Sequence, residues 1–413
     1  MKDLSRAGFS HQEVMAALTA ESGTRQVRFH YDLIREGATV CQLPVLQGSV
    51  RCRKEDSIRR TARFTMADDP RINWLTDRIR PVMMVRMADA MSEGGAALRS
   101  WSDLGNFMWK DVNYTWGELA SGTATTAAIK ERWISFPLGV FIPSTPKKKR
   151  NIITSVEVES YDLSVILKED SITERLFFAA GTNYLEAVES ILISAGIEQI
   201  RIAPSSAVMS TDHEYEIGAQ KLDIVNSLLE EISYDRFSVD ENGVGVLRPF
   251  VEPSADQTTI EYGADGMSVL SDETQAELDL YSVPNVFIAT VSNPDYTKSN
   301  KEYSFFRAEY VNDDPASPLS TVRRGRKIVQ KFSPNDIASQ EDLEKYVRRQ
   351  AYLAGQIYET VQISTALMPI HTDTEILWLD HPAAAGAYEE IGWEMPLSAG
   401  GKMTHEARKV MIV

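Results

Sequence analysis

Two helical patterns and a tight hairpin follow one another in the middle of the chain, and they constrain its fold more than any other feature. Asn183 and Glu186 form a capping box that begins the first helix, and Gly196 ends it. Apolar residues recur at helical spacing again over 222–232. The Asn242-Gly243 pair then predicts a hairpin turn between short apolar runs. This succession is typical of a compact α+β unit.

Strand patterns dominate on both sides of this unit. Apolar and polar residues alternate over 27–33, 62–66 and 361–367, which is the period of a strand with one face toward solvent. One helical pattern, with Ser339 and Asp342 as its cap, interrupts the last third. The chain is therefore predicted to be a β-rich α+β protein.

The length of 413 residues exceeds one ordinary hydrophobic core, so several segments are expected. The predicted segments are an N-terminal helix or arm (1–24), a β-rich domain (25–160) with a Gly/Ser/Thr-rich insertion (91–130), a central α+β domain (161–282) and a β-rich domain with one helix (283–413).

Charge and hydropathy exclude some functions. The net charge of −16 argues against a surface that binds nucleic acid, which would need clustered excess Lys and Arg. No apolar run approaches the roughly 20 residues that a membrane span needs. The N-terminal sequence MKDLSRAGFSHQEV lacks the apolar stretch of a leader peptide, so secretion is not expected.

The two cysteines, Cys41 and Cys52, flank a segment that is predicted to be a hairpin turning near Gln47-Gly48. Such a hairpin could bring the thiols together, so a disulfide is one interpretation. Two unpaired, half-buried thiols are favoured for a protein assembled in a reducing cytosol. The two cysteines and six scattered histidines show no paired zinc-ligand spacing, so no zinc site is predicted.

The sequence contains no G-x-S-x-G elbow, Walker A loop, G-x-G-x-x-G fingerprint or H-E-x-x-H zinc motif. His371, Asp373 and Glu375 occupy alternate positions of HTDTE, where one face of a strand could present three metal ligands. A polar outer strand face is the favoured interpretation. His405 is isolated, and the carboxylates of Glu389-Glu390 are expected to point apart. No catalytic residue, metal ligand or cofactor is therefore predicted.

Two cationic segments are candidates for contact with a partner. Their residues are Lys147, Lys148, Lys149, Arg150, Arg324 and Arg326. The first four lie in PSTPKKKR, at a predicted hairpin tip, and the alternatives are a solvated loop, a contact with an acidic neighbour or a localisation signal. The last two would share one strand face, with a bulge at the glycine between them. They form either an ordinary strand surface or a patch that docks an acidic partner.

Stretches spread over nearly the whole chain carry a family resemblance. The central ones are SYDLSVILKEDSITERLFFAAGTNYLEAVESILISAGI (160–197) and LDIVNSLLEEISYDRFSVDENGVGVLRP (222–249). The others are DDPRINWLTDRIRPVM (68–83), WISFPLGVFI (133–142), YSVPNVFIATVSNP (281–294), NDDPASPLSTVRRGR (312–326) and IGWEMPLSAGGKMTHEARKV (391–410). Together they resemble the tail hub proteins of long-tailed bacteriophages, also known as minor tail proteins. None of these stretches is a catalytic motif, so the resemblance transfers no functional residue.

The resemblance implies that 25–160 and 283–413 are β-barrel-like domains that frame the central α+β domain. It implies a structural, non-enzymatic virion protein at the distal tail tip or baseplate, assembled in the host cytoplasm. Three copies would form a ring that adapts the sixfold tail to a threefold tip and lines the DNA exit channel. The implied partners are the distal tail protein ring, the tape measure protein, and tail-tip, spike or receptor-binding proteins.

Two other classes of function stay open. A virion-associated wall-degrading enzyme would need a carboxylate pair or a metal, for which HTDTE is the sequence support. A glycan-binding adsorption protein would draw on seven Trp and fifteen Tyr, although most of these lie at positions expected of a core. Some hub proteins continue into a peptidoglycan-cleaving or receptor-binding domain, but this chain ends at Val413, so those activities are not expected.

Overall fold

The structure is a computed structural model that describes most of the chain. The described residues are 4–6, 9–20, 25–87, 133–150, 154–263, 270–278, 283–292, 305–334, 337, 340–355, 359–381 and 384–410. The predicted insertion at 91–130 and the predicted cap residue Ser339 lie outside them. The chain divides into two compact units, one of residues 1–2, 29–83 and 136–413, and one of residues 3–28 and 84–135. The domain boundaries predicted from the sequence stay predictions.

The described elements agree with a β-rich α+β fold. The strands are β1 (Val27–Arg35), β2 (Ala38–Gln42), β3 (Val45–Arg53), β4 (Arg60–Ala67), β5 (Arg78–Arg86), β6 (Trp133–Pro137), β7 (Ile142–Arg150), β8 (Thr154–Tyr161), β9 (Leu176–Phe178), β10 (Ile200–Ile202), β11 (His213–Tyr215), β12 (Ser238–Val239), β13 (Gly245–Leu247), β14 (Ile260–Tyr262), β15 (Leu270–Leu278), β16 (Val286–Ser292), β17 (Phe305–Val311), β18 (Val329–Phe332), β19 (Glu359–Ala366), β20 (Ile376–His381), β21 (Ala384–Pro396) and β22 (Lys402–Lys409). The helices are α1 (His11–Thr19), α2 (Ser164–Glu169), α3 (Tyr184–Ser194), α4 (Lys221–Glu231), α5 (Thr321–Arg324) and α6 (Gln340–Gly355).

One sheet joins strands from both ends of the chain. It has ten strands, eight of which follow the order β15-β19-β22-β21-β3-β4-β8-β7. The other two branch from this order: β20 pairs with β21, and β14 pairs with β20. Strand β21 is 13 residues long, so one of its edges pairs first with β20 and further along with β3. Across the second junction, Gly392 lies opposite Arg53 and Pro396 opposite Ser49. Among the described residues the strand orders are open, and no sheet closes into a barrel.

The sequence alternation correctly identifies which faces of this sheet are buried. Ala62, Phe64 and Met66 of β4 are at most 3% exposed, and so are Val361 and Ile363 of β19. Burying one face of each strand removes apolar surface from water, which stabilises the folded state by about 25 cal/mol per Å² of buried apolar surface. The intervening polar residues stay on the other face, as a period of two requires.

The predicted hairpin turn at Gln47-Gly48 is wrong, because β3 runs straight through these residues. A Cβ atom on Gly48 would lie 3.1 Å from Leu397 Cδ1 and 3.2 Å from Phe64 Cδ1. The glycine therefore serves close packing within a strand rather than a turn. The chain turns earlier, at Glu36-Gly37, where both residues have positive φ angles. Both cysteines, in β2 and β3, are free thiols.

Among the described residues four smaller sheets accompany the large one, and two of them lie outside the central elements. The first has the order β2-β1-β5-β6. In the second, β16 lies between β17 and β18, and α6 packs on β16 and β17. The apolar face predicted for α6 is confirmed, because Leu343, Tyr346, Val347 and Ala351 are all buried.

The unit of residues 3–28 and 84–135 contains α1. Ser10 caps this helix and forms a capping box with Glu13, which satisfies two backbone N–H groups that the helix start leaves free. Val14 and Leu18 form its buried side.

The central elements match the predicted helices and hairpin. The Asn183 side chain accepts hydrogen bonds from the N–H groups of Leu185 and Glu186 and so caps α3. Strands β12 and β13 pair antiparallel on either side of Asn242-Gly243, and Gly243 has a φ of +85°. The apolar faces of α3 and α4 share one core, in which Leu192 and Leu229 are completely buried.

A repeat within this core was not predicted from the sequence. The segments β9–α3–β10 and β11–α4–β12 correspond at a constant offset, with Gly181 and Gly218 at equivalent positions and with φ angles of +89° and +92°. Strands β9 and β11 occupy equivalent positions in the two segments and pair antiparallel, with the middle residues Phe177 and Glu214 opposite each other.

Hydrogen bonds outside the strands follow the same symmetry. The bond from Ile172 N to Ala219 O (3.0 Å) has its counterpart from Met209 N to Thr182 O (2.9 Å). The two copies are therefore related by a local twofold arrangement, in which each copy's leading segment lies against the other copy's helix start.

None of the helices within the described ranges combines the length and the apolar character that crossing a membrane requires.

Candidate functional site

The residues of HTDTE do not share a strand face, contrary to the alternating arrangement considered from the sequence. They lie in the loop between β19 and β20, and their side chains have different partners. His371 bonds to Glu390, Asp373 bonds to Arg59, and Glu375 accepts a hydrogen bond from the Thr372 hydroxyl at 2.7 Å. The period of two fails because the chain bends at Pro369, before β20 begins.

A buried cluster of two histidines and one carboxylate forms instead. His371 Nδ1 lies 2.6 Å from one oxygen of Glu390, and His405 Nδ1 lies 2.5 Å from the other. The two imidazole rings are 4.5 Å apart between centroids. The three side chains are at most 1% exposed. Sequence reasoning missed this cluster, because its members come from a loop and two separate strands.

Both outer ring nitrogens of the cluster contact hydroxyl groups. His371 Nε2 lies 2.7 Å from the Tyr262 hydroxyl on β14, and His405 Nε2 lies 2.7 Å from the Thr365 hydroxyl on β19. The cluster therefore joins four strands and the loop before β20. At this depth the imidazoles cannot reach a substrate from solution, so the arrangement suits holding a proton or a metal ion.

A bulge on β21 places the carboxylate in the interior. The register between β21 and β22 shifts between Glu390, which faces Ala407, and Gly392, which faces Glu406. Ile391 is thus an extra residue on β21, and strand direction changes locally. Glu390 and Trp393 are both buried, as are the residues between them.

The charge state of the cluster follows from its surroundings. Burial by itself would raise the pKa of Glu390, but the two histidines outweigh this effect and hold that pKa below its ordinary value. Burial lowers the pKa of His405, and His371 beside it acts in the same direction. At neutral pH Glu390 is therefore a carboxylate.

A second polar network lies beside the cluster. Asp373 Oδ2 accepts hydrogen bonds from Arg59 at 2.5 Å and from Arg248 at 3.1 Å, and Arg248 also donates to Asp235 at 3.0 Å. Burial would raise the pKa of Asp373, but the two arginines outweigh it and hold this pKa well below its ordinary value. The network links the loop before β20 to the start of β4 and to the central core.

The adjacent carboxylates Glu389 and Glu390 point apart, as predicted. Glu389 accepts hydrogen bonds from Lys54 and from the Tyr352 hydroxyl, whereas Glu390 contacts the histidines. The two groups therefore do not form an acid–base pair.

The residues Lys147 to Arg150 do not lie at a hairpin tip. They continue β7, which pairs with β8 up to Arg150 opposite Thr154, because a register shift after Ser144 lets the ladder extend. Lys148 pairs with Asp68 at 2.7 Å and Lys149 with Glu157 at 2.8 Å. Strand β7 ends the order of the large sheet, and lysines on such an edge hinder pairing with other strands.

The prediction that Arg324 and Arg326 share a strand face is also wrong. Ser320 caps the short helix α5, and Gly325 ends it with a φ of +62°. Arg324 lies in the helix and donates to the carbonyl oxygen of Val283 at 2.6 Å. Arg326 is exposed beyond the helix end. Four of the six candidate residues therefore lie in β7, Arg324 lies in α5, and Arg326 follows α5.

No protein-family model and no curated protein matches the sequence. Solved structures of phage tail proteins match the fold over nearly its whole length. The tail protein from Neisseria meningitidis MC58 has a TM-score of 0.58 at 9% identity, covering 92% of this chain and 97% of that one. The chain has the fold of phage tail proteins.

Two prophage proteins give the same result. The 43 kDa tail protein of prophage MuSo2 from Shewanella oneidensis has a TM-score of 0.54 at 8% identity, covering 92% of this chain and 98% of its own. Prophage tail protein gp18 from Listeria monocytogenes EGD-e has a TM-score of 0.51 at 10% identity, covering 92% and 94%. The β-rich α+β fold class predicted from the sequence is confirmed.

Proposed function

We propose that this chain is a structural tail hub protein, located at the distal tip or baseplate of a phage tail. Three copies form a ring that joins the sixfold distal tail protein ring to a threefold tip or spike. The ring surrounds the channel through which DNA leaves, and it contacts the tape measure protein and the tail-tip or receptor-binding proteins. The protein has no enzymatic activity of its own.

The observation that carries this proposal is the agreement of fold over whole chains. Three tail proteins from different hosts share the fold over 92% of this chain and at least 94% of theirs. A shared fold does not by itself transfer a function. The whole-chain match nevertheless supports a role in which the complete surface, rather than one pocket, is used.

The arrangement of polar groups supports a structural role. The histidine–carboxylate cluster is closed to solvent, the arginine network is largely buried, and both connect segments that are distant in sequence. The net charge of −16 suits a channel wall along which DNA must pass without binding. Both features fit an assembly component.

The cationic residues are proposed as partner contacts within this assembly. Lys147 and Arg326 are exposed, and Lys148 and Lys149 remain 53% and 67% exposed despite their ion pairs. Exposed pairs of this kind contribute little to stability, so their charge is available to an acidic partner at low cost.

The first experiment is the mass of the purified full-length protein in solution, alone and mixed with the distal tail protein of the same virion. Three chains per particle, either alone or after mixing, are expected. A protein that stays monomeric and does not bind the distal tail protein would refute the hub proposal.

A charge-reversal variant tests the partner contact separately. Lys147→Glu with Lys149→Glu is expected to weaken binding to an acidic tail partner, whereas Arg175→Glu, at an equally exposed ion pair of the central core, leaves binding unchanged. Equal binding by both variants and the wild type would exclude this strand edge as the contact, whatever the oligomeric state.

A further inference from the structure

We propose that His371, Glu390 and His405 bind one divalent first-row transition-metal ion, with zinc as the expected ion, in a closed structural site. The proposal concerns the interior of the sheet and does not depend on the hub function. It rests on the donor atoms, on the hydrogen-bond directions and on the second layer of contacts around the cluster.

The donor set fits such an ion. One ligand atom from each of the three side chains lies within 4.8 Å of those of the other two. Two imidazoles and one bidentate carboxylate supply four donors, which is the number that structural zinc sites have. Imidazole ligands favour Zn, Cu, Fe or Ni over Mg or Ca, which prefer six or more oxygen ligands.

The cluster has to open slightly to hold the ion. The present separations of 2.5 and 2.6 Å between ring nitrogen and carboxylate oxygen are those of hydrogen bonds. With each donor about 2.0–2.1 Å from zinc, a ring nitrogen and a carboxylate oxygen in a tetrahedral site lie about 3.3 Å apart. Each of these separations therefore has to increase by roughly 0.8 Å, which side-chain rotation can provide.

The hydrogen bonds of Thr365 indicate that a cation belongs between His405 and Glu390. The Thr365 hydroxyl donates its proton to the carbonyl oxygen of Ala366 at 2.8 Å. Its oxygen therefore accepts from His405 Nε2, so that nitrogen carries a proton. A neutral imidazole protonated at Nε2 has a lone pair at Nδ1, which here faces a carboxylate oxygen. Only a proton or a metal ion between these two atoms makes this contact favourable.

The outer contacts also match those of metal-binding histidines. Such histidines usually donate their second ring N–H to a neighbouring oxygen, which fixes the ring orientation. Here the hydroxyl groups of Tyr262 and Thr365 occupy these positions, at 2.7 Å in both cases. Because the cluster is buried, the ion is captured as the sheet folds and is held in place afterwards.

Metal analysis of the full-length protein tests the proposal. The purified chain is unfolded with chelator and refolded with and without zinc, and bound metal is then measured by mass spectrometry. About one zinc per chain and a higher melting temperature of the zinc-refolded protein are expected. Refolding with Co²⁺ should give the visible absorption of four-coordinate cobalt.

Variants locate the ion. Glu390→Gln and His405→Gln should abolish metal binding, whereas His213→Gln, in a histidine–glutamate pair that belongs to no three-ligand group among the described residues, should retain it. Tyr262→Phe and Thr365→Val should weaken zinc binding about 10- to 100-fold. If the cluster variants do not fold, the cobalt spectrum of the wild-type protein still decides. A wild-type chain that takes up no zinc or cobalt on refolding would refute the site and show that the cluster holds a proton only.

Discussion

The Asp373→Asn substitution should weaken the junction between the loop before β20 and the rest of the fold. Asp373 is bound by Arg59 and Arg248, and the side chains of Asp373 and Arg59 are only 12% and 7% exposed. Asparagine keeps the shape but removes the charge, so Arg59 stays buried without a counter-ion. Removing one partner of a buried pair costs about 3–5 kcal/mol.

The lower end of this range is expected for the variant. Arg248 keeps its ion pair with Asp235 and is 28% exposed, so losing the charge of Asp373 destabilises it less than it destabilises Arg59. A loss of about 3 kcal/mol corresponds to a roughly 150-fold larger opening constant, at 1.36 kcal/mol per factor of ten. Hydrogen exchange measured by mass spectrometry on peptides covering 371–381 reports this local opening.

A matched control is Asp56→Asn, because Asp56 is 50% exposed and pairs with Arg51 at 3.7 Å. Exposed pairs contribute about 0–1 kcal/mol, so exchange should change less than tenfold. In the double variant Arg59→Met/Asp373→Asn, the cost should be smaller than the sum of the single costs. Equal hydrogen-exchange rates of the 371–381 peptides in the Asp373→Asn and Asp56→Asn variants would contradict the inference that Asp373 anchors this loop through buried ion pairs.

Three further predictions test other parts of the fold. Leu229→Ala should cost about 2–5 kcal/mol in chemical denaturation, because this side chain is fully buried in the central core. Arg35 lowers the pKa of Asp77 in the folded protein, so the wild type should lose this contribution to the melting temperature as the pH falls below about 4, and Asp77→Asn should not. Burial raises the pKa of Cys52 to about 12, so only Cys41 should react with a thiol reagent at pH 8 until the protein unfolds.

Local structure was predictable where a short stretch of sequence determines it. The start of α3 is fixed by Asn183, whose side chain satisfies backbone donors within three residues. The β12–β13 hairpin follows from Asn242-Gly243, because Gly243 readily adopts the positive φ angle that it has in the turn. By the same logic, the helix α5 could have been predicted from its cap Ser320 and from Gly325, but two arginines beside a glycine suggested a bulged strand instead.

The repeat in the central core was also present in the sequence. Gly181 and Gly218 precede equivalent helices, and Leu192 and Leu229 occupy equivalent positions in them. The strands of each copy span only two or three residues, which is too short for an alternation to be recognised. Comparing the sequence with itself at this offset would have shown the repeat.

The buried cluster could not be predicted from local patterns. His371, Glu390 and His405 meet only because β21 pairs with β22 in one register and carries an extra residue at Ile391. Neither a strand pairing nor a bulge leaves a mark on sequence spacing. The pairing of β3 with β21, which joins residues more than half the chain apart, belongs to the same class of long-range information.

The cluster also explains why this register is maintained. Moving β21 by one residue relative to β22 would turn Glu390 to the other face of the sheet and leave His405 buried without its carboxylate. An unpaired buried polar group of this kind costs about 1–3 kcal/mol, more for a charged one. An apolar residue at either position would tolerate the shifted pairing far better. The polar contacts at β21 therefore contribute specificity of pairing at the strand where the N-terminal and C-terminal parts of the large sheet meet.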